Sequence, residues 1–335
     1  KNPLGGLPRK LTYINKLREQ GKDPVILDAG EVLFDSPLVL DNTRSADEYK
    51  AKNIIKGYEK IGCDAINIGG YELAGGVKFL QNIMDSTDIP FISANLRNKS
   101  TGKLFADPYV IVDREPFRVG VIGLTSLLKD GNKYIVMDDI YKSGKKYMKE
   151  VRKKADIVIM LVNADRKEKQ ILQDEFKGAD YIVISRDISR TRQGQPQQKS
   201  VTPVYCPGKQ GKYMAFMEMD ITHIDSPYVD VSYYNKLIQN SERRIANYQK
   251  KNPDIPLKEL YSDNQAVYRQ IVTLEKQLVD AKDQIANARN KVDFELIPMS
   301  KKITDNPKML SFVDGILAKD KQLRGSSSAP IIKKK

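Results

Sequence analysis

Over its first two-thirds the chain alternates short runs of β-branched and aliphatic residues with stretches of helical periodicity. Pro24-Val25-Ile26-Leu27-Asp28 reads as a strand stopping at Ala29-Gly30, and Ala65-Ile66-Asn67-Ile68 as another stopping at Gly69-Gly70. Further strands are expected over 90–94, 109–112, 118–123, 203–206 and 213–221. The runs 157–161 and 181–184 are apolar without a break, the pattern of strands covered on both faces by helices or a second sheet. The predicted class is α/β: a layered β-sandwich flanked by helices.

Near Pro227 the character changes. Residues 234–248 are helical in pattern, and Asn252-Pro253-Asp254-Ile255-Pro256 breaks that pattern, because proline removes a backbone donor and clashes with the preceding turn. From there the apolar positions are Val267, Ile271, Leu274, Leu278, Ala281, Ile285, Ala288 and Val292, a 4-3-4-3 heptad seam. Ser262 or Asp263 is the expected N-cap. So narrow a stripe wants one partner helix. Either the 234–248 helix folds back as an antiparallel hairpin, or the seam serves docking or dimerisation. The pattern divides the chain into a layered domain over 1–226, a helical hairpin or coiled-coil appendage over 227–292, a strand–helix extension over 293–322 and a polar, basic tail over 323–335 with the composition of disorder.

Composition narrows the function classes. The 335 residues are 40% hydrophobic, with no run of about 18 uninterrupted apolar residues of the kind a membrane-spanning helix needs. Lys1 opens the chain without a methionine or an apolar leader, which points to a processed or trimmed start. A net charge of +13 favours acidic partners: anionic proteins, envelope polymers or lipid headgroups. The densest basic run, from Lys142 to Lys154, reads as the solvated face of a helix. No stacking-aromatic motif accompanies it, so nucleic acid is not an expected partner. Cys63 and Cys206 lie in no CxxC pattern, which leaves two buried thiols as the expectation and a disulfide as the alternative. His223 is the one histidine, in a segment read as surface. A hydrolytic two-metal centre needs several imidazoles and carboxylates converging on ions about 4 Å apart. One histidine cannot supply them.

Several segments together resemble the metallophosphatase (calcineurin-like phosphoesterase) domain of the 5′-nucleotidase family. Gly5-Gly6-Leu7-Pro8-Arg9-Lys10 is similar to the family's GGLAR segment, and Leu27-Asp28-Ala29-Gly30-Glu31 to its LDAGD strand end. The stretch from Asp64 to Leu73 is similar to DAMTLGNHEF, the stretch from Phe117 to Thr125 reads FRVGVIGLT, and Gly211-Lys212-Tyr213 matches a GKY after the last catalytic loop. The match spans roughly residues 4–222. The segments Asn2 to Leu7 and Phe294 to Phe312 look more weakly like a branch in which this domain and a helical hairpin accompany multihaem cytochromes.

The resemblance implies two metal ions, held by the aspartate after DAG, the Asn-His of GNHE, a later lone histidine, the two histidines of GHSH and an upstream Asp-x-His. Carried over by position, the DAG aspartate is Glu31, whose extra methylene moves the bridging oxygen by about 1.5 Å. The GNHE pair is Gly70 and Tyr71, followed by Glu72; the lone histidine is Asn163; the GHSH histidines are Arg186 and Ile188. The Asp-x-His strand has no counterpart, so either trimming or supply of a strand by a partner is expected. A guanidinium at Arg186 would repel a dication 4 Å away by roughly 8 kcal/mol at an effective dielectric of 20. Losing ligands weakens binding, whereas adding a cation reverses its sign.

These positions lead to a catalytically silent, exported module, periplasmic or on the outer cell surface, without cofactor. Its expected partner is a protein with an acidic surface or a multihaem cytochrome, with peripheral envelope association possible. The seam Val267, Ile271, Leu274, Leu278, Ala281, Ile285 is a candidate interaction surface. The alternative is a residual phosphoesterase placing Glu31, Glu72, Asp165 and Asp187 around one hard cation such as magnesium. A third reading is an anion clamp of Arg186, Arg190 and Arg192. As plain structural roles, Asp28 and Glu31 are expected to accept loop amides, Arg186 to pair with Glu31, Asp165 or Asp187, and Gly69 and Gly70 to serve tight-turn geometry.

Overall fold

The computed structural model describes residues 5–128, 132–186, 189–192, 194, 202–223 and 226–327. In chain order its elements begin α1 (Leu7–Glu19), β1 (Leu27–Asp28), α2 (Arg44–Ile61), β2 (Ala65–Asn67), α3 (Val77–Met84), β3 (Phe91–Ile92), β4 (Leu96–Asn98), β5 (Tyr109–Arg114) and β6 (Phe117–Thr125). They continue β7 (Ile135–Met137), α4 (Ile140–Val151), β8 (Ile157–Asn163), α5 (Lys169–Glu175), β9 (Tyr181–Ser185), β10 (Val204–Tyr205), β11 (Tyr213–Ile221), β12 (Tyr228–Asp230), α6 (Val231–Gln249), α7 (Leu257–Leu260), α8 (Gln265–Ala286), β13 (Asn290–Pro298) and α9 (Pro307–Ser327). Two compact units result: residues 1–191, 198–214 and 298–335, and residues 192–197 and 215–297.

In the first unit, β1-β2-β3 form a parallel three-stranded sheet and β10-β9-β8-β6-β5 a five-stranded one, parallel except for the β5–β6 hairpin. β2 and β3 lie on β6, and β2 also on β8, so the two sheets face each other. Every residue of β8 is buried, which is why its apolar run is unbroken. One core, including Ile55, Ile66, Leu80 and Phe91, joins the small sheet to α2 and α3. A second, including Leu124, Val158, Phe176 and Ile182, joins the large sheet to α4 and α5. Glycines allow these close approaches: a Cβ on Gly120 would sit 2.1 Å from Val151 Cγ1, and one on Gly144 2.5 Å from Phe176 Cε1. Cys63 and Cys206 are buried thiols not joined in a disulfide, and burial pushes the Cys63 thiol well above its ordinary range.

In the second unit, β11-β13-β12 form a three-stranded sheet, and α6 and α8 pack together as a hairpin joined through α7. The seam closes inside this hairpin: Ile271, Leu274 and Ala281 are buried, while Val267, Leu278 and Ile285 are half-buried. Four expectations need correction. The cap of α8 is Asn264, whose side chain accepts from the Val267 amide, rather than Ser262 or Asp263. The helical seam stops at Ala286, and Val292 is a strand residue paired with Asp230. Residues 215–221 belong with the hairpin, because β11 joins the sheet of β13 and β12. Finally, α9 continues through residues 323–327, where Arg324 bonds Asp47 and Asp320; residues 328–335 lie outside the described ones.

Candidate functional site

The strands of the first unit end in a set of polar residues. Asp28 closes β1, Asn67 β2, Thr125 β6, Asn163 β8 and Ser185 β9. Asp28 accepts from the Gly30 amide at 2.9 Å and the Tyr58 hydroxyl at 2.6 Å. Gly30 takes φ 101° with its would-be Cβ only 2.8 Å from the Asn67 carbonyl, so this turn has no room for a side chain. Asn67 donates to the Ala29 and Leu124 carbonyls, tying the two sheets together.

Glu72, completely buried, organises the loops after β1 and β2. Oε2 accepts from the Glu31 and Gly69 amides at 2.9 and 2.8 Å, and Oε1 from Val32 and Leu33 at 2.6 and 3.3 Å. Burial pushes this carboxyl up to about 7, against the amide donors, which favour its charged form. The expectation for Glu31 is corrected here: its backbone donates to Glu72, and its own carboxylate goes elsewhere.

Asn163 is also fully buried. Its Oδ1 accepts from the Gly70 amide at 3.1 Å and the Thr125 hydroxyl at 3.0 Å, while Nδ2 donates to Ser185 Oγ at 2.9 Å. Gly70 opens a tight turn, but its φ of −65° is within reach of any residue. Space is the requirement, since a Cβ would lie 2.1 Å from the Leu127 carbonyl at Gly70 and 2.9 Å from Asn163 Cγ at Gly69.

Above this floor, Arg186 Nη1 donates to Glu31 Oε1 at 2.6 Å, and its guanidinium carbon lies 4.2 Å from the Tyr71 ring centroid. Of the partners expected for Arg186, Glu31 is the one shown. Glu31 and Arg186 both have left-handed backbones, φ 67° and 75°, a conformation that non-glycine residues seldom adopt. The Glu31 side chain is 11% exposed and that of Arg186 36%, so the pair lies at the rim rather than in the core.

Thus Glu31, Gly70, Tyr71, Glu72, Asn163 and Arg186 do converge. Asp165 instead caps a short helical turn through the Lys167 amide, and Arg190 stacks on Tyr213 at 4.1 Å, while Arg192 belongs to the second unit. Asp187 and Ile188 lie outside the described residues. His223 is exposed, as expected, with Nδ1 beside the Thr222 hydroxyl. Thr125 and Ser185 were missed by sequence reasoning. Their signal was one polar residue ending an otherwise apolar strand.

No protein-family profile matches the chain. It is 29% identical over 170 residues to a 5′-nucleotidase of Vibrio cholerae, covering 47% of this chain and 30% of that protein. It is 28% identical over 175 residues to a 2′,3′-cyclic-nucleotide 2′-phosphodiesterase/3′-nucleotidase of Yersinia enterocolitica, covering 47% of this chain and 26% of that one. The matches thus span less than a third of these relatives' length. Among solved structures, the calcineurin-like phosphoesterase YfkN of Bacillus subtilis aligns with TM-score 0.62 and 17% identity over 97% of this chain and 92% of its own. The sulfate thiohydrolase SoxB of Thermus thermophilus aligns with TM-score 0.64 and 12% identity over 96% and 48%. The chain has the calcineurin-like metallophosphoesterase fold.

On a metallophosphoesterase fold the strand ends are where two metal ions would be held, as the resemblance implies, so the fit of the residues present can be tested. The Glu31 carboxylate is taken by a guanidinium, and both Glu72 oxygens by backbone amides. Gly70 offers no side chain and has no room for one. Asn163 spends its carbonyl on an amide and a hydroxyl. Among the described residues no three His, Cys, Asp or Glu side chains gather as a metal-holding group. These residues do not fit a two-metal centre, and no hydrolytic step is derived through one.

Proposed function

We propose that this chain is a catalytically silent member of the 5′-nucleotidase family, exported to the periplasm or outer cell surface and used as a structural or partner-binding module. The observation that carries the reading is the Arg186–Glu31 ion pair stacked on Tyr71, in the positions the resemblance assigns to metal ligands and the catalytic histidine. A cation held in the ligand shell opposes a dication, and without metal-activated water the fold has no nucleophile of that class. Fold and activity are separable in this way. The expected partner is a protein with an acidic surface, or a multihaem cytochrome by the weaker resemblance of the segments around Asn2 and Phe294. Metal content by mass spectrometry, with turnover of nucleotides and bis-nitrophenyl phosphate, tests the reading. Stoichiometric metal together with turnover abolished by Glu31→Ala would overturn it.

Similarity to a 5′-nucleotidase and a 2′,3′-cyclic-nucleotide 2′-phosphodiesterase/3′-nucleotidase favours a second reading: a residual metal-dependent phosphoesterase. Its carboxylates would be Glu31, Glu72, Asp165 and Asp187. The engagement of Glu72 by amides and of Asp165 by a helix cap weighs against it. The same assay separates the two.

A further inference from the structure

The helix α4 carries an unbalanced stripe of charge. Its inner face is Ile140, Ser143, Gly144, Tyr147 and Val151, all buried. A Cβ at Gly144 would lie 2.5 Å from Phe176, so the helix sits too close to its neighbour to turn about its axis. That fixed rotation sends Lys142, Lys146 and Lys149 outward along one face, and Lys153, in the turn just past the helix, continues the 4-3-4 spacing; all four are exposed. Its helical part, from Lys142 to Lys149, spans about 10 Å at 1.5 Å per residue.

The neighbouring cations are each answered by a carboxylate. Lys145 pairs with Glu175, Arg152 with Asp180 at 2.7 Å, and Lys154 with Glu150 at 2.9 Å. Among the described residues the four stripe lysines have no such partner. Lys146 lies over the Tyr147 ring, 4.6 Å from its centroid, and acts on Glu150 at longer range, since the hydrogen bonds of that carboxylate go to Tyr109 and Lys154. The arrangement costs the helix stability. Like charges three and four residues apart repel by about 0.2–0.5 kcal/mol a pair, and the acidic N-cap Asp139 is engaged by the Lys142 amide. Glu150 is the carboxylate of this helix, and its hydrogen bond goes to Lys154 rather than to the row.

We propose that the outer face of α4 is a docking surface for an acidic protein. This rests on the reading of the chain as a partner-binding module and names the surface and the chemistry of its partner. A straight row of compact ammonium groups matches carboxylates spaced along a helix or strand. Nucleic acid is disfavoured because no exposed aromatic side chain interrupts the row and the arginine at the helix C-cap, Arg152, is spent on Asp180. A lipid surface is disfavoured because the apolar face of α4 is already buried in the protein.

The test uses the full chain and three probes: poly-L-glutamate, duplex DNA and phosphatidylglycerol vesicles. A stripe variant carries Lys142→Gln, Lys146→Gln, Lys149→Gln and Lys153→Gln. A charge-matched control carries Lys56→Gln, Lys78→Gln, Lys99→Gln and Lys103→Gln, at exposed lysines away from α4. With four rim ion pairs at stake, the stripe variant should lose about tenfold or more in affinity for poly-L-glutamate while the control stays within about twofold. Its melting temperature should match or exceed that of the wild type, because repulsion has been removed. Equal losses in both variants, no loss in the stripe variant, or tighter binding of DNA or vesicles than of polyglutamate would overturn the proposal. Nucleotide turnover by the wild type would sink the silent-module reading and leave this result standing.

Discussion

Replacing Glu72 with glutamine tests how the candidate site is held. The carboxylate accepts four backbone amides, two on each oxygen, from the loops after β1 and β2. Glutamine keeps one carbonyl oxygen and points an NH2 group at the other two amides. A buried donor left unsatisfied costs about 1–3 kcal/mol; at pH 5 the wild-type carboxyl is itself protonated and its hydroxyl oxygen accepts one amide at most, so the substitution should cost about 1–3 kcal/mol there. pH then separates amide bonding from burial. The folded carboxyl is raised from 4.5 to about 7, so between those values the fold holds a proton that the unfolded chain has released. Stability from this group is fully present below pH 4.5 and is lost as pH rises through 7, by about 3 kcal/mol in all. Glu72→Gln does not titrate, so its deficit against the wild type should shrink from pH 5 to pH 8. Urea unfolding at several pH values across that range, with amide exchange at residues 31–33, measures it. A deficit that stays flat or grows with pH would show that the four amides outweigh burial and hold the folded carboxyl below its ordinary value.

Arg186 has φ 75°, so Arg186→Gly should be more stable than Arg186→Ala by about 1 kcal/mol in urea unfolding, although both lose the Glu31 pair and the Tyr71 stack. Gly70→Ala drives a Cβ to 2.1 Å from the Leu127 carbonyl and should cost about 2 kcal/mol or more by thermal melting; Gly70→Asn, which restores the family's residue, should fare no better. Leu274→Ala, in the buried seam of α8, should cost about 2–4 kcal/mol in the hairpin unit, read by helical circular dichroism, without changing exchange at the Glu72 loops.

Much of the fold was legible because its signals are local. The unbroken apolar run of β8 announces a strand covered on both faces, and the Pro253–Pro256 break separates the two hairpin helices. The heptad spacing located α8 but overran it, because Val292 keeps the period while pairing as a strand; periodicity cannot register a change of backbone conformation beyond Asn287. Identity by position also located the candidate site, since Glu31, Tyr71, Asn163 and Arg186 do meet.

Only the tertiary structure decided what those residues do there. Glu31 and Arg186 are 155 positions apart, so their pairing depends on how two loops at different strand ends are aimed. Glu72 reads in sequence as a candidate ligand, yet its oxygens are consumed by amides of residues 31–33, which arrive from another strand. The glycines at 69 and 70 read in sequence as turn residues, whereas what excludes a side chain there is the Leu127 carbonyl and Asn163 packed against them. Hydrophobic period and residue type act within a few residues and can be read along the chain. Ion pairing, amide satisfaction and steric clearance act through space and take their partners from whatever the fold brings near.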